Sequence, residues 1–432
     1  MEKIYLSKWF EKRDPRFIWR RLLSLLTRYG LFSGKVAGSL YACLDVLREF
    51  DCEPTFFVPA VILERYPKVI LKLKDAGCEI DVHGFRHIDL SQIPVEQASE
   101  MLERAVQTFE HYGIKSTGFR CPYLGCNDDL LKAIPAGLFN YSSNMAISWD
   151  DTSPLYESER NDFSNSLRKI YLPISSQDTI CIPWKHFDLV EIPVCIPEDL
   201  DLHDGYNKGA EEIAQFWCQL QNKIHARGEL FTLLFHSETA FLVAQPLKIL
   251  FQEIQGLRSS LWIATLGEIS DWWLEKAKFE VKLENAGGGL HISFTASPRA
   301  TILIRGLDLD GDQQAWDEKY RRLTSKELQL SAGSRPFIGL SPATPEPIAS
   351  FLQNQGYILD RSELADQCAT YIDQTILSSL ATEVQLVNYI EASDRPLVKF
   401  GRWPDGARSA LNVSMDLDAL SLLDYASRLW GK

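Results

Sequence analysis

Through about residue 278, short apolar runs alternate with longer stretches whose apolar residues recur every three or four positions. Phe56 to Val58 is an apolar run directly after Glu53-Pro54. Pro67 to Ala76 has helical spacing and stops at Gly77. Cys78 to Val82 predicts a strand, Pro94 to Tyr112 a long helix closed by Gly113, and Thr117 to Phe119 the end of another strand. Leu130 to Leu138 predicts a short helix and Leu189 to Cys195 a strand. Gly209 to Arg227 is a helix followed by Gly228, and Leu230 to Phe235 an apolar strand. Pro246 to Leu257 predicts a helix and Trp262 to Leu266 a strand. Strands alternating with helices of this length predict a parallel sheet, open or closed into a barrel.

Past Trp272 to Lys278 the pattern changes. Glu280 to Leu283, Leu290 to Thr295 and Thr301 to Gly306 alternate apolar and polar residues and are broken by Gly287-Gly288-Gly289 and Ser297-Pro298. Such alternation predicts antiparallel strands with one wet face. Phe337 to Leu340 then reads as a strand. Thr344-Pro345 opens a helix that ends before Gly356. Tyr357 to Asp360, a helical stretch to Tyr389, and Pro396 to Phe400 follow. After the turn at Pro404-Asp405-Gly406, a last strand, Ala410 to Met415, leads into a final helix. The expected division is a main barrel part over 1–278, an antiparallel β module over 279–335, a small α/β module over 336–400, and a strand and helix over 401–432 that complete the barrel.

The 432 residues, 45% hydrophobic and 24% charged, are those of a globular protein of more than one domain. Fifty-eight Asp and Glu against 45 Lys and Arg give a net charge of −13, which excludes a phosphate-backbone binder, so no nucleic acid partner is expected. Nine scattered cysteines, none in a C-x-x-C pair, predict free thiols and a reducing compartment. With no signal peptide and no long apolar span read from the sequence, the cytoplasm is the expected location. Phe17 to Phe32 (FIWRRLLSLLTRYGLF) mixes aromatic, Leu and Arg residues at helical spacing. It predicts a helix packed on its own domain with Arg on the wet face; contact with a membrane surface is the less expected alternative.

Chemistry gathers at predicted strand ends, where ligands of parallel α/β folds bind. His83 and His87 follow one strand, and two imidazoles four residues apart meet one ion if the second lies one helical turn beyond the first. Arg120 to Tyr123 (RCPY) follows another; Arg can hold a carboxylate bidentately and the Pro-Tyr turn can aim backbone N–H groups into a cleft. His236 ends the apolar strand LLFH and is a candidate general acid. His186, His203 and His225 receive no role, and Asp199 to Asp204 (DLDLHD) reads as a solvated acidic loop, with the edge of the cleft as its alternative place. Asp308 to Asp312 begins like a calcium loop. Gln313 stands where Gly is needed and Lys319 where Glu is needed, so it reads as a polar hairpin turn.

In this order, Cys52 to Val58 (CEPTFFV), Gly77 to His87 (GCEIDVHGFRH), Gly118 to Tyr123 (GFRCPY) and Leu233 to His236 (LLFH) resemble the motifs of the NodB-type polysaccharide deacetylases. The resemblance covers roughly Arg48 to Trp273. It implies an α/β fold, a distorted (β/α) barrel here carrying inserted β and small α/β modules. It also implies a divalent metal, usually zinc, and hydrolysis of acyl groups, mostly on sugars. The family pattern opens with a strand that ends in two acidic residues and precedes CEPTFFV. Met1 to Phe50 holds Asp14, Asp45 and Glu49 but no such strand. Asp416-Leu417-Asp418, after the strand Ala410 to Met415, resembles that motif in a D-x-D form. The expectation is therefore a circular permutation, with the barrel's first strand written last and Lys432 near Met1, which is physically easy when termini lie together at the surface.

By family analogy His83, His87 and Asp418 hold the metal and Asp416 is the base, although the spacing alone leaves the two aspartates interchangeable. Arg120 would orient the base, the Tyr123 N–H would meet the oxyanion, and His236 would protonate the leaving amine. The expected substrate is an N-acylated amino sugar or polysaccharide. Two alternatives stay open: a non-catalytic relative that binds a glycan or protein, and a deacylase of a lipid-linked sugar.

Overall fold

The computed structural model describes residues 25–152, 160–286, 289–307, 313–331, 333 and 335–429. Its organising feature is a curled sheet of eight parallel strands and one antiparallel edge strand. The parallel strands are β1 (Thr55–Val58), β2 (Glu79–Val82), β3 (Gly118–Phe119), β4 (Tyr141–Ser142), β5 (Leu189–Glu191), β6 (Leu230–His236), β7 (Leu261–Ile263) and β8 (Ser409–Asp416). Their spatial order is β6-β8-β1-β2-β3-β4-β5. The last strand of the chain is thus an interior strand. One of its edges pairs with β6 from Ala410 to Asp416; the other pairs with β7 near its start and with β1 from Ser414 to Asp416. Every residue of β8 is buried.

Two strands bend out of this sheet. After β4 the chain re-forms as Ala146–Ser148, and after β5, past Ile192-Pro193, as Val194–Ile196. With Ile174–Ser175 these make a small parallel sheet that lies against β6. The single strand expected over Leu189 to Cys195 is therefore two, because Pro193 has no N–H to give a ladder. The result is a distorted (β/α) barrel.

Helices cover the outside. α1 (Gly34–Glu49) buries Val36, Leu40, Cys43, Leu44 and Leu47, and α2 (Val95–His111) buries Leu102, Val106 and Phe109, both at helical spacing. α3 (Ala210–Arg227) and α4 (Ala240–Glu253) pack together, and α4 also meets α1. α4 starts one and a half turns before the expected Pro246. The proline sits inside it, so the Leu242 carbonyl lacks its usual helical donor. The helix expected over Leu130 to Leu138 is Asp128–Ala133, set earlier by the Asn127 side chain that caps the Leu130 N–H. α5 (Leu266–Lys276) opens with a Thr265-Glu268 capping box, and α6 (Leu422–Leu429) follows β8.

Between α5 and β8 lie three small sheets: Glu280–Ala286, Gly289–Thr295 and Glu327–Ser331, antiparallel; a second antiparallel sheet that includes Ile302–Arg305 and Leu397–Phe400; and a parallel one of Ile338–Leu340, Leu359–Asp360 and Thr370–Ile372. Indole N–H groups fix the return into the barrel: Trp272 donates to the Arg402 carbonyl (2.8 Å) and Trp403 to the Gly228 carbonyl (3.0 Å).

Of the segment Phe17 to Phe32, residues 17–24 lie outside the described residues. Leu25 to Tyr29 is helical and packs on the barrel with Leu25 and Tyr29 buried. Arg28 is not on a wet face. It is buried, donating to Asp204 (2.6 Å) and Glu238 (2.8 Å), because two carboxylates on loops that follow the barrel face it there.

Candidate active site

Four strand ends converge. β2 runs out into His83-Gly84-Phe85-Arg86-His87, which is a bent loop rather than a helical turn. The first two N–H groups of the short helix Ala60–Arg65 after β1 shape it: Ala60 donates to the Gly84 carbonyl and Val61 to the Phe85 carbonyl, each at 3.1 Å. Gly84 takes φ +73°, where a Cβ would also meet the Arg86 carbonyl at 3.2 Å. The fold of this loop brings the two imidazoles to a centroid distance of 5.1 Å.

β8 supplies the acids. Asp418 Oδ1 lies 3.3 Å from His83 Nε2 and 3.2 Å from His87 Nε2. Donor atoms of His83, His87 and Asp418 all fall within 4.8 Å of one another. His83 donates from Nδ1 to the Arg120 carbonyl at 2.8 Å, so its Nε2 carries the lone pair. That Nε2 is buried and makes no hydrogen bond. A lone pair held without a donor, beside a second imidazole and a carboxylate, fits a divalent cation.

Asp416 is turned differently. Its Oδ1 accepts from Arg120 Nη1 at 2.8 Å and its Oδ2 stands 3.8 Å from His83 Nε2. Arg120 is fully buried. It donates from Nε to the Ser143 carbonyl (3.1 Å), from Nη2 to Ser143 Oγ (2.9 Å) and from Nη1 to Ser414 Oγ (3.2 Å), and it lies over the Phe57 ring. Tyr123, in the same turn, has φ +61° and sets its ring edge-on to His87 at 4.6 Å.

His236 closes the other side. Its Nδ1 donates to Asp199 Oδ1 and its backbone N–H to Asp199 Oδ2, each at 2.8 Å; Thr239 Oγ1 also donates to that carboxylate. Burial pushes the imidazole pKa down, but the charge and hydrogen bond of Asp199, then Glu198 and Asp418, outweigh it and raise it to about 10. Glu198, Asp199 and His236 also lie within metal-ligand reach of one another. The Asp199 oxygens are already occupied by His236 and Thr239, so this trio is an ion pair that orients the imidazole.

Asp199 corrects the solvated-loop expectation for Asp199 to Asp204: it is buried, as are Asp201 and Leu202. Two further contributors carry no motif. Ser143 holds Arg120. Glu191, at the bend after β5, accepts from the N–H groups of Asn144 (2.6 Å) and Met145 (2.7 Å) and from Ser142 Oγ. Burial raises the Glu191 carboxyl pKa against these three donors. Their only advance signal was position, since each lies at or just past a strand end. The three histidines given no role in the sequence reading stand elsewhere: His186 meets Asp128, His203 the Lys208 carbonyl and His225 Ser409 Oγ. Asp308 to Asp312 lies outside the described residues.

Residues 36–137 match the family model described as polysaccharide deacetylase. The matched stretch runs from α1 to just past β3 and is that of a polysaccharide deacetylase domain. The chain is similar to the peptidoglycan deacetylase of Helicobacter pylori, 22% identical over 266 residues, which are 57% of this chain and 87% of that protein. It is also similar to a peptidoglycan deacetylase-like protein of Gibberella zeae, 28% identical over 119 residues and 27% of this chain. The match spans 35% of the length of the Gibberella protein. Among solved structures, a candidate polysaccharide deacetylase from Mycobacterium smegmatis aligns over 54% of this chain and 76% of its own, at 21% identity and TM-score 0.40.

Proposed function

We propose that this chain is a metal-dependent hydrolase that removes the N-acyl group, acetyl in the first instance, from an amino sugar or its polymer. One observation carries the reading: a single Asp418 oxygen sits 3.3 and 3.2 Å from two imidazole nitrogens, with a second aspartate anchored by Arg120 beside them. Two imidazoles and one carboxylate, with room for further ligands, are the donor set of a hydrolytic zinc site. Zinc, the ion the family resemblance implies, is the one we assign to His83, His87 and Asp418.

When bound, the ion supplies Lewis acidity toward the acyl carbonyl and acidifies a water near neutral pH. Asp416 takes the proton of the attacking water. Arg120 fixes which Asp416 oxygen faces the site, because its guanidinium is itself held by hydrogen bonds to Ser143 and Ser414. The Tyr123 backbone N–H meets the developing oxyanion. His236, held by Asp199 and protonated at neutral pH, gives its proton to the departing amine. The closeness of Asp418 to both rings weighs against a barrel that only binds glycans. We also read the interior position of β8 as a circular permutation of the family barrel. The Leu422 N–H donates to the Gly30 carbonyl at 3.0 Å, so the two described ends of the chain are neighbours.

The test is metal analysis of the purified chain together with amine release from a panel of N-acetylated glycans. The expected result is about one bound ion per chain and His83-dependent release. Normal metal content and turnover in His83→Ala, or no release from any glycan, overturns the reading.

A further inference from the structure

Tyr171 borders the catalytic cluster and takes no part in the steps derived above. It ends the helix Asp162–Tyr171, which the Asn161 side chain caps and which packs against the Pro122–Leu124 turn. Its ring lies on an apolar bed of Leu124, Val194, Ile196 and Leu234, between the turn that carries Tyr123 and the strand that ends in His236. The side chain is half-buried, so the ring is not sealed into the core. Its hydroxyl donates to Glu198 Oε1 at 3.3 Å. Glu198 is itself fixed: its Oε2 accepts the Asp201 N–H at 2.6 Å, and its carboxylate lies within 4.8 Å of ligand atoms of Asp199 and His236. Burial first, then the charges of Glu198, Asp416, Asp418 and Asp199, push the phenol pKa well above its ordinary value. The O–H therefore stays intact through the neutral range, on the side of the site where Asp199 and His236 stand.

A phenol has one O–H to donate and lone pairs with which to accept. Glu198 takes the O–H, so what Tyr171 can show to a bound molecule is a lone pair. The side of the site it borders decides what that molecule brings. His236 protonates the departing group, so the departing atom must come within hydrogen-bond reach of its Nε2. In an amide that atom is a nitrogen carrying one N–H. As the carbonyl carbon becomes tetrahedral, the nitrogen becomes pyramidal, and its lone pair has to point at Nε2 while its N–H points elsewhere. An acceptor for that N–H fixes the orientation. In an ester the departing oxygen carries no hydrogen and would set a lone pair against that of Tyr171.

We propose that Tyr171 makes this site select amides over esters: its oxygen accepts the N–H of the scissile amide and so turns the nitrogen lone pair toward His236. The substrate class is thereby narrowed to N-acylated sugars as against O-acylated ones, an inference that rests on the function proposed above. The C–N bond breaks as the His236 proton passes to nitrogen; Tyr171 exchanges no proton.

The experiment compares the full, metal-loaded parent with Tyr171→Phe, which removes one oxygen and keeps the ring on its bed. The amide is an N-acetylated chitooligosaccharide, or whichever N-acetylated glycan of the panel turns over best. The esters are an O-acetylated xylooligosaccharide and 4-nitrophenyl acetate, whose leaving group needs no acid and so gives an ester reading in any case. For the amide, kcat/KM is expected to fall by about tenfold or more in the variant, chiefly in kcat, with metal content and circular dichroism unchanged. The ratio of ester to amide turnover is expected to rise by about tenfold or more. An undiminished amide rate overturns the proposal. So does an equal fall for amide and esters, which is what a ring that merely packs would give. A parent that holds its ion but releases amine from no glycan overturns the proposed function instead.

Discussion

Replacing Asp199 with Asn separates the role of the His236 imidazole from every other part of the site. The carboxylate accepts both the Nδ1–H and the backbone N–H of His236, and it is the largest of the influences that raise the imidazole pKa to about 10 against the downward push of burial. Asn keeps the size and one acceptor but removes the charge. Without that charge the imidazole falls back toward its ordinary value of ~6.5. At about pH 8 the protonated fraction would then be ~0.03, so a step that needs the imidazolium slows by about 30-fold; at about pH 6 the loss is about twofold or less. The assay is kcat/KM for amine release across this pH span, for the parent and Asp199→Asn, with metal content measured alongside. The parent should show no basic limb from this group until pH approaches 10, whereas the variant's limb should fall near neutrality with its ion retained. A parent-to-variant ratio that does not change with pH refutes the reasoning, because loss of packing alone carries no such dependence. The same pair has a stability signature. The folded-state pKa of His236 is raised, so its contribution is full below the unfolded value and fades as pH rises through about 10. Chemical denaturation should therefore show Asp199→Asn costing most on the acid side of neutrality.

Asp418→Asn should release the ion while leaving the fold intact, read as loss of bound metal with an unchanged circular dichroism spectrum; a chelator should do the same to the parent, and added zinc should restore amine release. Removal of the ion should also lower thermal stability, by about 2.7 kcal/mol where free zinc had stood at a hundred times its Kd. Arg120→Ala should act on folding rather than on metal alone, because it leaves Asp416 buried without its cation and takes the donors from two acceptors on Ser143. The expected cost is about 3–5 kcal/mol in a urea titration, and a value under about 1 kcal/mol would show that this ion pair is not the brace of the site.

What sequence alone could show depended on how each residue signals itself. Strand ends followed by His83, Arg120, His236 and Asp416 stand out because a buried apolar run stops abruptly at a polar group, and the structure brings these four ends together. The geometry that joins His83 to His87 was not legible. Helical spacing was the available reason for two rings to meet, whereas the loop is bent by N–H groups donated from Ala60 and Val61, which lie far away in the sequence. Asp199 was hidden by its company. In DLDLHD, after Glu198, it reads as one more solvated charge, and nothing local shows that the bend at Ile192-Pro193 carries Val194–Ile196 alongside β6 and so delivers this carboxylate to His236. Ser143 and Glu191 were hidden for the same reason. Ser143 serves Arg120 partly through its backbone carbonyl, and Glu191 accepts from two backbone N–H groups just past β4; backbone groups leave no mark in a sequence. In the fold, element types were clear where period and flanking Gly or Pro agreed. They failed at Pro246, where the usual helix-opening meaning of proline was overridden by packing of α4 against α1 and α3.

An interior strand at the end of the chain makes the barrel depend on everything that comes before it. β8 fills the slot between β6 and β1, so the sheet stays split until residues 279–400 have been crossed and the tail returns. The thermodynamic burden of that detour is small, because loop closure grows only with the logarithm of length, by about 0.6 kcal/mol per doubling. Both ends of the detour are also held close: the Phe279 and Phe400 rings stand 5.2 Å apart, and the indoles of Trp272 and Trp403 pin the returning chain to Arg402 and Gly228 carbonyls. The inserted modules do reach back to the barrel, through Glu383 on Thr179 Oγ1 and the Ile180 N–H and through the Asn354 carbonyl on Lys276 Nζ. Replacing residues 281–398 by a short Gly-Ser linker should therefore give a chain that still binds its ion and still needs His83 for turnover, but with a stability lower by those lost hydrogen bonds, on the order of 1 kcal/mol each, and by the apolar packing of Val387 and Phe351 on the Trp272 cluster. Metal content and denaturant titration of the shortened chain test this. If it folds cooperatively yet holds no ion, the inserted modules position the aspartates themselves, and the strand pairing of β8 is insufficient to bring Asp418 to the two imidazoles.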